Sequence, residues 1–276
     1  MLAQCDVLTP EIALTWAVVE PAPGQLDLAS MDELVAFARQ HAKRVHGHNL
    51  LWGLSLPGWV ESALRETRDW SIIARFFGSV IPRYGDTVHE WNVVNEVIDT
   101  GHREYDLPEQ RDRRYLLLEL LERLRAENVP LDGFGMQSRL ELAKGSISAK
   151  ALDAFFTDVS GLGLSITITE LDVKEAAYMA SPAERDRAVG DEVRRYLDVM
   201  HPAVLGVVTW GLSDRHSWLG VTKEDYARFP CAWTHGDGPG VNRGLPLDAA
   251  MQPAPMFYAI AEALRAHGRS TGIASR

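Results

Sequence analysis

Along the chain, short runs of β-branched and apolar residues alternate with longer stretches in which apolar positions recur every three or four residues. A period of two fits a strand and a period near 3.6 fits a helix with one buried stripe. Strands are predicted at residues 5–8, 44–49, 90–95, 132–136, 165–169 and 205–210. Helical stripes are carried by Leu34, Val35 and Ala38, by Ile73, Phe77, Val80, Ile81 and Tyr84, by Leu117, Leu120, Leu121 and Leu124, and by Leu152, Phe155, Phe156 and Val159. A last helix over 254–266 is expected to face the core through Phe257 and Ile260. Ser30-Met31-Asp32-Glu33 reads as a capping box, and Ser181-Pro182-Ala183-Glu184 adds proline at the first helical position. This alternation is that of an α/β fold whose parallel strands are crossed by helices. Residues 236–240 are read as a glycine-rich loop, because they follow no strand and open no helix.

Bulk properties narrow the class. A chain of 276 residues, 46% hydrophobic and 24% charged, suits one domain over 1–276 with a large core, and its length suits a (β/α)8 barrel. The net charge of -10 and the lack of a Lys/Arg run argue against nucleic acid and anionic membranes as partners and are easier to reconcile with a neutral substrate. Two cysteines, Cys5 and Cys231, make neither a disulfide framework nor a C-x-x-C site, and no cofactor or metal is called for. The stretch from Met1 to Asp6 shows no export signal, no window is apolar enough to span a bilayer, and nothing in the sequence points to an oligomeric state.

In a (β/α)8 barrel the reacting groups sit where strands give way to loops. Two glutamates are predicted there: Glu96, closing Trp91-Asn92-Val93-Val94-Asn95-Glu96, and Glu170, closing Ile166-Thr167-Ile168-Thr169-Glu170. Acetal cleavage needs a protonated acid on the leaving oxygen and an ionised carboxylate at the anomeric carbon, set about 5 to 5.5 Å apart if configuration is retained. Taken singly, each glutamate could equally be a helix cap or half of a surface ion pair.

The motifs resolve that choice together. Thr9-Pro10-Glu11, the run from Val45 to Trp52, the run from Trp91 to Glu96, Gly135-Met136-Gln137-Ser138, Thr169 to Val173, and Trp210-Gly211-Leu212-Ser213-Asp214 resemble, in order, the strand-end motifs of glycoside hydrolase family 10, the endo-1,4-beta-xylanase family. The resemblance implies a retaining hydrolase acting on xylan or a related β-linked polysaccharide, found outside the cell or in the periplasm. It makes Glu96 the general acid/base and Glu170 the nucleophile. It places Asn95 on the 2-hydroxyl of the sugar, puts Glu11, His48, Gln137 and Arg139 around the glycone and nucleophile, and makes Trp210 and Trp218 aromatic walls, with Trp52 beneath the sugar. Trp16, Trp59, Trp70 and Trp91 are read as structural.

Departures from the family pattern are local. Ile12 and Thr15 stand where the family has asparagine and lysine, so two sugar donors are lost, and Gly53 replaces a histidine. Arg139 also replaces a histidine, setting a larger, permanent cation beside the nucleophile, where it would keep Glu170 ionised. The barrel reads as incomplete: the chain starts at what resembles the second strand, and the region around the fifth is shortened to Glu104-Tyr105-Asp106-Leu107. This leaves an inactive carbohydrate-binding or exopolysaccharide-processing protein as the alternative. A metal- or serine-dependent hydrolase is weaker still, with neither H-E-x-x-H nor G-x-S-x-G present.

Overall fold

A computed structural model describes residues 5–97, 110–175, 181–220 and 242–271, without the side chains of 110–115, 220 and 269–271. The short strand-like motif at 104–107, the loop at 236–240 and Cys231 lie outside them. The chain divides into two compact units, Met1–Tyr105 and Asp106–Arg276.

In the first unit the elements run β1 (Val7–Leu8), α1 (Trp16–Val19), α2 (Ala29–Gln40), β2 (Arg44–Gly47), β3 (Leu51–Trp52), α3 (Gly58–Thr67), α4 (Ser71–Tyr84), β4 (Val88–Trp91) and β5 (Val94–Asn95). All strand pairs are parallel, in the order β1-β2-β4, with β3 beside β5. The predicted strand over 90–95 is therefore two pieces. Its register is carried across the break by the Leu50 amide donating to the Asn92 carbonyl and the Leu51 amide to that of Val93, each at 3.0 Å. The core contains Val35, Ala38, Val80 and Tyr84, as the helical period predicts, and adds Phe76, stacked 4.3 Å from Trp16. Helix α2 does not start at the capping box read at Ser30. Its first residue is Ala29, whose amide donates to Asp27. Asp32 instead reaches across to Arg83 and the Tyr84 hydroxyl.

The second unit contains α5 (Gln110–Ala126), β6 (Gly133–Met136), β7 (Arg139–Glu141), α6 (Ala149–Gly161), β8 (Ser165–Lys174), α7 (Pro182–Leu197), β9 (Val204–Thr209) and α8 (Pro255–Thr271). Strand β8 is its spine. It pairs in parallel with β6 over its first half, with β7 over its second, and with β9 on the other side. The strand predicted to end at Thr169 runs on to Lys174, nearly all of it buried. Its sequence explains how. Ile166 and Ile168 face the apolar core, and then Leu171 and Val173 do so, three residues on from Ile168 rather than two. An odd step in a period of two marks a bulge, and the pairing with β9 shifts register between Ile168 and Leu171. Helix α7 starts as predicted, Ser181 accepting from the Glu184 amide and donating to its carboxylate. Helix α8 turns Met256 and Ala259 fully inward, while Phe257 and Ile260, the predicted core residues, are only partly buried on the shoulder of that face.

Residues 242–247 are tied to the end of β8. Asn242 donates to the Val173 carbonyl, the Val173 amide donates to Gly244, and Glu175 pairs with Arg185 while accepting from the Arg243 amide. A Cβ on Gly244 would lie 1.7 Å from the Val173 carbonyl oxygen, which is backbone and cannot rotate away. We expect Gly244→Ala to cost about 1–3 kcal/mol by overpacking, read as a lowered urea midpoint. An unchanged midpoint would mean that this segment does not lie against β8.

Candidate active site

The first unit gathers one set of motif residues through neutral hydrogen bonds. His48 is buried, with the Asn92 amide 3.2 Å from Nδ1 and the Asn49 amide 3.2 Å from Nε2. The ring is thus held between two carboxamides, one at each of its nitrogens. Asn92 also donates to the Asn95 carboxamide oxygen at 2.9 Å, which orients Asn95. Next along the chain, Glu96 adopts a left-handed backbone, φ 53°, and its Oε2 accepts from the Trp52 indole at 2.7 Å. Glu11, the other glutamate of this set, is exposed and also left-handed at φ 50°. Such backbone costs a non-glycine residue energy and tends to be kept where a side chain must be aimed.

A pocket of about 300 Å³ adjoins Asn95 and Glu96, lined among others by Trp70, Ile73, Val94 and Val97. Trp70, read from sequence as structural, is 65% exposed there. Ile12 is exposed as well, and Thr15 is buried with its hydroxyl donating to the Ile12 carbonyl. The two departures from the family's donors therefore offer no polar group in their place. Open space surrounds Gly53, as expected where a histidine side chain is absent.

The second unit gathers a charged set. Glu170, within the bulge, and Asp172, just past it, leave the same face of β8, with side chains only 3% and 2% exposed. Two buried carboxylates demand a cation, and Arg139 supplies one from the neighbouring strand, where it is the register partner of Asp172. Its Nη2 lies 2.5 Å from Glu170 Oε2 and its Nη1 lies 2.7 Å from Asp172 Oδ2. The Trp218 indole donates to that same Asp172 oxygen at 2.6 Å, and Gln137 donates to Glu170 Oε1 at 3.3 Å. The guanidinium carbon sits over the rings of Trp210 and Trp218, 4.9 and 4.5 Å from their centroids. Burial raises the Asp172 pKa against the opposing pull of Arg139 and the Trp218 hydrogen bond.

Four of the predicted residues, Gln137, Arg139, Trp210 and Trp218, thus meet Glu170 in one cluster, while Glu96, Asn95, His48 and Trp52 meet in the other. Sequence reading gave Asp172 and Asn92 no role, although each holds a predicted site residue. Their signal was present in the motifs, two residues from Glu170 and three from Asn95. Glu170 itself is placed mid-strand at a bulge rather than at a strand end, because polar residues read as a loop are satisfied here by Arg139.

Asp214 anchors the loop that carries both tryptophans. Gly211 turns this loop at φ 108°, a value glycine adopts without strain. Asp214 is then buried, accepting the Leu245 amide at 3.1 Å through Oδ1, with Oδ2 unpartnered among the described residues. Desolvation pushes its pKa up to about 7.

Comparison with known proteins bears on this arrangement. The model of "Glycosyl hydrolase family 10" matches residues 1–106 and 102–263. Among curated relatives, a beta-1,4-xylanase of Dictyoglomus thermophilum is 25% identical over 263 residues, which cover 77% of this chain and 72% of that protein. Endo-1,4-beta-xylanase 3 of Hypocrea jecorina is 27% identical, covering 80% and 71%. Among solved structures, native xylanase 10B from Thermotoga maritima superposes with a TM-score of 0.76 at 22% identity, covering 96% of this chain and 88% of that one. Xylanase 10B from Thermotoga petrophila in complex with xylobiose gives 0.74 at 22%, covering 95% and 86%. These likenesses show a (β/α)8-barrel type of fold; the described strands themselves fall into sheets of three, two and four.

The anchor titrates in a testable direction. A carboxyl whose pKa is higher folded than unfolded stabilises the protein below its unfolded value, near 3.9, and loses that contribution as pH rises through about 7. We expect the melting temperature of Asp214→Asn, relative to the parent, to rise by a few degrees between pH 5 and pH 8. A difference that stays flat over this range would refute the burial of a titrating Asp214.

Proposed function

The chain belongs to glycosyl hydrolase family 10, and on that premise we propose that it is a retaining endo-1,4-β-xylanase with Glu170 as nucleophile and Glu96 as general acid/base. The observation that carries the assignment is the environment of Glu170. It is a buried carboxylate held beside a permanent cation, with tryptophans around it and a bulge that aims it away from the core.

In the first half of the reaction Glu170 attacks the anomeric carbon while Glu96 gives its proton to the leaving oxygen. In the second, Glu96 takes a proton from water, whose oxygen displaces Glu170, and two inversions return the original configuration. The Trp52 indole, donating to Glu96 Oε2, orients that carboxyl, and the other oxygen then carries the proton. Asn95, aligned by Asn92, suits the role of holding a sugar hydroxyl. Glu11, His48 and Gln137 are assigned to the glycone side, and no cofactor enters the scheme. A role in binding glycans without cleaving them is not favoured, since the relatives are enzymes and both carboxyls have holders.

We read the chain as one catalytic domain, shortened around the fifth barrel strand. Val93, Val94 and Val97 are 43%, 45% and 55% exposed beside Trp70, which suits a surface that a full-length crossover would cover. Export from the cell fits a polymeric substrate, and no helix among the described residues is long and apolar enough to cross a membrane.

Hydrolysis of xylan and aryl β-xylobiosides, with the first-formed product observed by NMR as the β-anomer, tests the reading. Glu170→Ala should lose a factor on the order of 10⁴ or more in kcat. Glu96→Ala should be slow on natural linkages but much less impaired on a dinitrophenyl leaving group, which needs little protonation. First release of the α-anomer, or equal loss on every leaving group, would refute the roles given.

A further inference from the structure

We propose that Arg139 is the positioning residue of the nucleophile: it holds Glu170 by Oε2, leaves Oε1 as the attacking atom, and stays paired with Asp172 when Glu170 spends its charge. The inference rests on the glycanase reading and deepens it at one site.

The two oxygens of Glu170 are held unequally. Oε2 is 2.5 Å from a guanidinium nitrogen, a short charge-assisted bond that ties up its electron density. Oε1 meets the Gln137 amide at 3.3 Å, a longer contact to a neutral donor. Attack therefore comes from Oε1, and rotation of the carboxylate is prevented by the tie on Oε2.

Arg139 is itself immobilised from three directions. Its strand position is fixed opposite Asp172 by the β7–β8 ladder, its Nη1 bonds Asp172, and its flat face rests on indole rings. Trp218 closes the circuit by donating to the same Asp172 oxygen. The tryptophans thus support the cation that supports the nucleophile, which is a different task from stacking on a sugar.

Charge balance follows through both steps. As the Oε1–C1 bond forms and the C1–O bond breaks, the electron pair goes to the leaving oxygen, which takes the proton of Glu96. Glu170 becomes a neutral ester. A lone guanidinium would then be stranded in a largely buried place, but Asp172 is already bonded to it and serves as its counterion. When water displaces the ester, the pair returns to Glu170 and the tie to Oε2 is restored. Arg139 transfers no proton in either direction, since a guanidinium keeps its charge throughout the working pH range.

The test compares wild type, Arg139→Gln and Arg139→Lys in pH profiles of kcat/KM on an aryl β-xylobioside and in the rate at which an aryl 2-deoxy-2-fluoro-β-xylobioside labels Glu170, with melting curves alongside. We expect Arg139→Gln to slow labelling and kcat about 100-fold or more with little change in KM. The acid limb should move to higher pH, because a carboxylate without its cation is protonated more easily. Arg139→Lys, which keeps the charge and loses the fork, should recover part of both. A folded Arg139→Gln labelled within about 3-fold of wild type, with the acid limb unmoved, would overturn the assignment. If the glutamine variant fails to fold, the lysine variant decides: labelling slowed at least about 10-fold supports the proposal and labelling at the wild-type rate overturns it. Wild type that neither turns over β-xylosides nor is labelled would overturn the glycanase reading, and this inference with it. Turnover by a wild type whose variants are indifferent would overturn this inference alone.

Discussion

Two carboxylates withdrawn from water on one strand require a cation, and much of the second unit is arranged to supply it. Glu170 and Asp172 can share a face of β8 only as alternate residues, and they reach the face opposite the core only because the bulge resets the alternation. The guanidinium must then come from an adjacent strand in register. Strand β7, three residues long, begins with Arg139 and lies against the second half of β8 beyond the end of β6. Moving β7 by one residue would turn Arg139 to the other face and leave both charges unpaired, at a cost of several kcal/mol. Register, bulge and ion pair are one constraint seen at three scales.

The first unit meets a milder demand by milder means. Its polar interior around His48 is a chain of carboxamides and an imidazole, with no full charge needing a partner until Glu96, whose carboxyl accepts from an indole. A catalytic acid must change protonation twice per turnover, and a neutral donor that supports either state suits it better than a guanidinium would. A nucleophile must stay ionised until it attacks, and a permanent cation suits that task. The contrast between the two holders matches the roles assigned to the two carboxyls.

Most of this was legible in the sequence where local pattern governs, and less so where distant residues decide. Helical period alone located Val35, Ala38, Val80, Tyr84, Leu152, Phe156 and Val159 in the cores. The bulge could have been read from Ile166, Ile168, Leu171 and Val173, but the polar residues between them suggested a strand end, because nothing local announces that Arg139 will pair with them. Phe257 was expected to face the core, but one residue along a helix rotates the face by about 100°, and Met256 is the residue turned inward. Trp70 was read as structural, yet it is 65% exposed, and exposure depends on what the rest of the chain leaves uncovered. The capping box at Ser30 failed because the helix starts one residue earlier, at Ala29, whose amide is taken by Asp27.

The departures from the family pattern separate by the step of catalysis on which they act. Ile12 and Thr15 sit in a segment that would meet the sugar before and during reaction alike, and the hydroxyl of Thr15 is spent on backbone. Donors missing there weaken the bound substrate and the transition state together, which raises KM and leaves kcat nearly untouched. Arg139 touches Glu170, which in the proposed scheme loses its charge as the bond is made, so its contribution would differ between ground state and transition state and fall on kcat. On the proposed roles, the two kinds of departure would therefore separate in kinetics, the one at Ile12 and Thr15 in KM and the one at Arg139 in kcat.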